Sequence, residues 1–189
     1  MTDLKTFENV IAFDPGLSGG VAILSPSGEI IACDDLPTLG EGAQRRIDAA
    51  NLASMIRPHL PARAVIEQVS AMPGQGVSSM FRFGQALGTI AGVVGALGLP
   101  VAWVSPAKWK RESGLDATAE RSIGRAIETW PKQAGLFARK KDHNRAEAAL
   151  LARWALDGLK SPIREPQAAS VEASARVDAE NGERASAGL

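Results

Sequence analysis

Two short apolar runs, each closed by an acid, constrain this chain more than any other feature. Val10-Ile11-Ala12-Phe13 ends on Asp14, and Ala64-Val65-Ile66 ends on Glu67 with Val69 just beyond. Runs of this length without helical periodicity read as buried strands. A carboxylate at the end of such a strand is costly unless it is paired, protonated or bound to a cation. For Asp14 the ordinary alternative is a strand-end aspartate capping the turn at Pro15-Gly16. For Glu67 it is an ion pair with an arginine.

The remaining pattern supplies a layer for those strands. Gly19–Pro37 holds two apolar runs around Pro26-Ser27-Gly28, a hairpin signature. In RRIDAANLASMIRPHL, Ile47, Leu52, Met55 and Ile56 predict a helix stopped near Pro58. Val77–Leu97 lacks proline and predicts a long helix. PVAWVS predicts a fifth strand, and Thr118–Trp130 and Asp142–Leu159 predict two more helices. A three-strand meander followed by alternating helix and strand describes an α/β layer with a mixed sheet.

A third acid belongs with the first two. Ala146, Leu150, Leu151, Trp154 and Leu156 mark the inner stripe of the last helix, and Glu147 lies close to it. Three acids on separate elements of one small sheet predict a cluster. Clustered carboxylates repel, and a divalent cation relieves the repulsion. Two histidines and one cysteine in the whole chain favour oxygen ligation, hence Mg²⁺ or Mn²⁺ rather than Zn²⁺. The chemistry that needs this arrangement is phosphodiester hydrolysis, with two metals about 4 Å apart.

Taken alone, the charge balance argues against a nucleic-acid partner: 21 Lys+Arg stand against 21 Asp+Glu. Its distribution argues otherwise. From Ser161 the chain is acidic and poor in large apolar residues, and it reads as a disordered tail over 161–189 behind a domain over 1–160. Without that tail 18 basic and 16 acidic residues remain, and Pro106–Arg145 carries ten basic residues against five acids. Such a stretch is either a phosphate-facing surface or a solvated charged face. Cys33 alone supports no disulfide framework and suits a reducing compartment. The first residues do not read as a signal peptide, and no apolar run approaches the roughly 18 residues of a membrane span. A cytoplasmic protein, bacterial or phage-encoded, is expected.

Four blocks in order, IAFDPGLSGGVAIL, AVIEQV with FRFGQALGTIAGVV, VSPAKWK, and KKDHNRAEAALLA, resemble the RuvC-type Holliday-junction resolvases of the RNase H-like nucleases, the phage-encoded members above all. The resemblance covers roughly residues 8–158. It implies an RNase H-like fold, a five-stranded mixed sheet with helices on both faces. It also implies a crossover junction endodeoxyribonuclease that binds branched DNA and cuts four-way junctions symmetrically as a homodimer, with Mg²⁺ or Mn²⁺ as cofactor. By position Asp14, Glu67 and Glu147 become metal ligands, with Glu147 where many members carry Asp. The fourth group stays open, because Asn144 stands three residues before Glu147. At about 100° per residue His143 lies about 40° from Glu147 on a helical wheel, and Asp142 about 140° away. His143 is thus a base or ligand from within the helix, and Asp142 a ligand from outside it or simply an N-cap.

Lys108, Lys110, Lys140 and Lys141 become DNA contacts, or serve only solubility. Gly84, Gly88 and Gly92 recur at intervals of four on one helix face, where each costs roughly 1 kcal/mol against alanine. In the family that helix lies at the dimer interface; the alternative is tight packing on the protomer's own sheet. The loop after the second acid probes the junction in RuvC resolvases, and here Met72 is the one large apolar candidate for a wedge. Other substrates (flaps, forks, RNA–DNA hybrids) and a non-catalytic branched-DNA-binding domain are the competing expectations. An ATPase is disfavoured, since about 160 ordered residues leave no room for a second lobe.

Overall fold

The computed structural model describes residues 9–68, 74, 76–116 and 118–160. Met72 and the expected tail over 161–189 lie outside these residues. Contacts group the chain into a compact unit, Met1–Asp157, and a second, Gly158–Leu189, of which only the end of the last helix is described.

Five strands form the main sheet: β1 (Val10–Asp14), β2 (Gly20–Leu24), β3 (Ile30–Asp35), β4 (Arg63–Glu67) and β5 (Val101–Val104), in the order β3-β2-β1-β4-β5. β1, β2 and β3 pair antiparallel as a meander, whereas β4 and β5 run parallel to β1 and to each other. The sheet is therefore mixed, with β1 at its centre. β1 and β2 are almost wholly buried, as their unbroken apolar runs require.

Helices cover both faces. α1 (Ala49–Ile56) and α2 (Val77–Ala96) pack Leu52, Ile56, Ala86, Ile90 and Val94 against Ile11, Phe13, Ile23 and Ile66 of the sheet. α1 starts later than its apolar pattern suggests. Asp48 caps it by accepting from the Asn51 amide at 3.0 Å, while Arg46–Ile47 instead pairs with Thr38–Leu39 in a two-residue ladder. α5 (His143–Lys160) lies on the opposite face. There a Cβ on Gly20 would come within 2.3 Å of the Asn144 carbonyl oxygen, so only glycine admits the helix this close. Gly19 is under the same constraint, since a Cβ would fall 2.1 Å from the Asp14 carbonyl oxygen.

Three short elements between β5 and α5 were not anticipated from apolar periodicity. α3 (Pro106–Glu112) follows β5 directly, with Pro106 in its first turn, and is too short to show a period. Short 3₁₀ turns at Pro131–Phe137 and Lys140–Asp142 link α4 (Ala119–Thr129) to α5. Among the described residues no helix is long and apolar enough to cross a membrane.

Candidate active site

Strand alternation decides where the acids point. Phe13 and Ile66 are register partners in the parallel β1–β4 pair, and both face α1 and α2. The next residues on the two strands, Asp14 and Glu67, therefore point to the α5 side, next to one another at the strand ends. α5 presents Glu147 to the same place. One carboxylate oxygen from each of Asp14, Glu67 and Glu147 lies within 4.8 Å of the others. The three acids are brought together as the residue pattern predicts.

Their protonation reflects that crowding. Burial pushes the Asp14 carboxyl well above its ordinary value, and the negative charges of Glu67 and Glu147 push it further. Glu67 is also raised, first by burial, against the opposing pull of a hydrogen bond from Trp109 and the charge of Lys110. A site that disfavours its own ionised form calls for a cation.

Part of that need is met by the chain itself, from α3 and α4. Lys110 Nζ donates to both oxygens of Glu147, at 2.9 and 2.8 Å, with side chains only 15% and 10% exposed. Ser122 Oγ, fully buried on α4, donates to Glu147 Oε1 at 3.0 Å. The Trp109 indole Nε1 donates to Glu67 Oε1 at 2.7 Å. Three hard oxygen ligands with a net negative charge fit Mg²⁺ or Mn²⁺, and among the described residues no sulfur or imidazole ligand joins them.

Other expected residues stand elsewhere. Asp142 is outside the cluster: its carboxylate accepts from the Arg139 backbone at 2.9 Å and from the Arg139 guanidinium at 2.7 and 3.1 Å. Those bonds hold Asp142 below the usual carboxylate range and leave it little capacity for a metal. Asp142 thus stands apart from the acid cluster, and its side chain does not cap α5 either: it is the third residue of the 3₁₀ turn Lys140–Asp142 and reaches back to the Arg139 amide. His143 begins α5, with Nδ1 3.2 Å from the Lys140 carbonyl, and does not join the acids either.

Lys110, expected beside Lys108 on a phosphate-facing surface, instead turns inward to Glu147. Lys108 is exposed and lies over the Trp154 ring, 5.9 Å from its centroid. Lys140 sits 3.4 Å from Glu120, and Lys141 is exposed. A Cβ added at Gly84, Gly88 or Gly92 meets nothing within 4 Å. This excludes tight packing on the protomer's own sheet as the reason for the glycines. Val77 and Phe81, 80% and 72% exposed, share the glycine face of α2.

Sequence reasoning missed Trp109, Ser122 and Arg139. Trp109 had a signal in its place between two lysines after Ser105-Pro106, a helix start. Ser122 had none.

A mixed five-stranded sheet with strand order β3-β2-β1-β4-β5 and helices on both faces is the RNase H-like α/β class. Within that class the fold is the one seen in RuvC. A structure of T. thermophilus RuvC in complex with a Holliday junction substrate superposes with a TM-score of 0.54 at 15% identity, covering 81% of this chain and 96% of that one. A second Thermus thermophilus RuvC structure gives a TM-score of 0.48 at 16% identity, over 80% of this chain and 95% of that one. In sequence, the chain is 29% identical over 119 residues to the chloroplastic Holliday junction resolvase MOC1 of Chlamydomonas reinhardtii. That match takes in 59% of this chain but only 14% of the relative's length. No protein-family model matches the chain.

Proposed function

We propose that this chain is a metal-dependent endonuclease that resolves Holliday junctions, cutting symmetrically as a homodimer. The observation that carries the reading is the convergence of Asp14, Glu67 and Glu147 within 4.8 Å at the ends of the two central parallel strands. Asp14, Glu67 and Glu147 would hold Mg²⁺, with Mn²⁺ able to replace it. When bound, such an ion supplies Lewis acidity and an activated water for phosphodiester hydrolysis. The protein's own groups do the rest. Lys110 lies at the acids with an ammonium that a phosphate can attract once a metal neutralises Glu147. Lys108, Lys140 and Lys141 offer salt-dependent contacts to DNA phosphates around the site. His143 is the group nearest in sequence to serve as a base, and Met72 the wedge at the junction.

The homodimer reading rests on the face of α2 that carries Gly84, Gly88 and Gly92 beside exposed Val77 and Phe81. An apolar stripe with no partner among the described residues suits a second backbone at close range, and a two-fold dimer suits paired cuts in a four-way junction. The single cysteine, Cys33, is buried and free, which fits a reducing cytoplasm in a bacterial or phage-infected cell.

The test is cleavage of an immobile four-way junction against matched flap and RNA–DNA hybrid substrates, with Mg²⁺ and with EDTA. Symmetric, Mg²⁺-dependent cuts in the junction are expected. Asp14→Asn and Glu67→Gln should abolish them and leave junction binding largely intact. Preference for a flap would reject the resolvase reading, and binding without any metal-dependent cutting would favour a non-catalytic role.

A further inference from the structure

The clustered acids are not held by the same kind of partner. Glu147 is gripped by an ammonium, which must give ground when another cation arrives. Glu67 is held by the Trp109 indole, a neutral group that donates and cannot accept. A neutral donor satisfies one lone pair of a buried carboxylate without contributing a charge that repels a metal. Trp109 is also 1% exposed, among the largest fully buried side chains. No solvent competes for its N–H, and packing fixes its ring. It reaches Glu67 from α3, which grows directly out of β5, and Glu67 is the register partner of Val104 at the end of that strand. The donor and its acceptor are thus tied together by neighbouring strands of the sheet rather than by a loop.

We infer that Trp109 is a positioning residue for the metal centre: its N–H fixes the Glu67 carboxylate so that the remaining lone pairs are presented to the space shared with Asp14 and Glu147. The inference rests on the metal-dependent reading above. Removing such an outer partner typically weakens metal affinity about 10–100-fold. A tryptophan that only filled the core would not affect metal affinity once the fold was kept.

Two variants of the full chain separate these roles. Trp109→Phe keeps an aromatic ring and removes the donor. Benzothienylalanine at position 109 keeps the two-ring shape and replaces only the N–H. Mn²⁺ affinity is measured by titration calorimetry without DNA, junction binding in EDTA by gel shift, and folding by thermal melting in EDTA. The expected result is Mn²⁺ binding weakened about 10–100-fold in both variants, junction affinity within about twofold of native, and cleavage restored by raising Mn²⁺. Native Mn²⁺ affinity in a folded benzothienylalanine variant overturns the inference, whatever Trp109→Phe does. A native chain that binds no Mn²⁺ overturns the metal-centre reading and this inference with it, so the two failures are distinguishable.

Discussion

Lys110 Nζ lies 2.8 Å from Oε2 and 2.9 Å from Oε1 of Glu147, so an ammonium borne by α3 straddles one of the three acids that converge at the strand ends. The metal-free protein thereby holds an internal cation against a cluster that would otherwise repel itself. Its grip is electrostatic and largely buried, so removing one partner costs more than it would in a surface ion pair.

Lys110→Met should therefore destabilise the protein most when no metal is present. A loss of about 2–3 kcal/mol is expected in EDTA, since removing one partner strands a poorly solvated charge. Saturating Mn²⁺ should recover much of it by neutralising the same acids. Thermal or urea melts with and without Mn²⁺ measure both. An equal loss in the two conditions would mean that Lys110 and the metal do not answer the same charge.

The acids themselves were legible in the sequence because Asp14 and Glu67 violate a rule: each ends an apolar run. Glu147 was legible because helical spacing set it beside an apolar stripe. Strand alternation then put Asp14 and Glu67 on one face of the sheet, and the helix packed on that face brought Glu147 to them. What surrounds them was not legible. α3 is seven residues long and shows no period, so a tryptophan set between two lysines was the one hint of its inner face, and nothing indicated that Lys110 turns inward while Lys108 does not. Ser122 lies on a helix whose register against α5 is set by tertiary packing alone. Asp142 had two readings at the start of a helix, and a wheel cannot weigh an arginine three residues back. The glycine stripe was visible as a spacing, but whether it faced the sheet or the outside depends on how α2 is rotated.

The metal-free protein should gain stability on mild acidification. Asp14 and Glu67 have folded-state values raised above their unfolded ones, mainly by burial. A raised carboxylate contributes stability that is complete below the unfolded value near 4 and is lost as pH climbs through the folded value. Melts in EDTA should therefore give a higher Tm near pH 5 than near pH 7.5. Asp14→Asn should flatten that dependence and stabilise the metal-free protein at neutral pH while removing activity. A Tm that rises steadily with pH in EDTA would contradict the crowding of the acids.

Asp142→Ala tests whether Asp142 is a metal ligand or only an anchor for the turn before α5. Asp142 is 1% exposed and spends its oxygens on Arg139, whose backbone and guanidinium both donate to it. Removing this buried acceptor strands the Arg139 amide and guanidinium, at a cost of about 1–3 kcal/mol. Lower thermal stability is expected, with Mg²⁺-dependent junction cleavage kept within severalfold of native below the melting range. Abolished cleavage in a folded Asp142→Ala protein, together with weakened Mn²⁺ binding, would return Asp142 to the ligand set.

Gly88→Ala should act with opposite signs on the protomer and on the dimer. Within the protomer a Cβ at Gly88 meets nothing within 4 Å, and alanine is better than glycine in a helix interior by about 1 kcal/mol. The isolated fold should thus be as stable or slightly more stable. A second backbone packed close against the stripe would be pushed away by the added methyl, and Gly88→Leu would push it further. Analytical ultracentrifugation should show a rising monomer fraction from native to alanine to leucine, with paired cuts in the junction giving way to single nicks. Chemical melts at a concentration where the native chain is monomeric give the other half of the test. If all three proteins dimerise equally while the leucine variant stays folded, the dimer uses another face, and the glycines of α2 are there for something else.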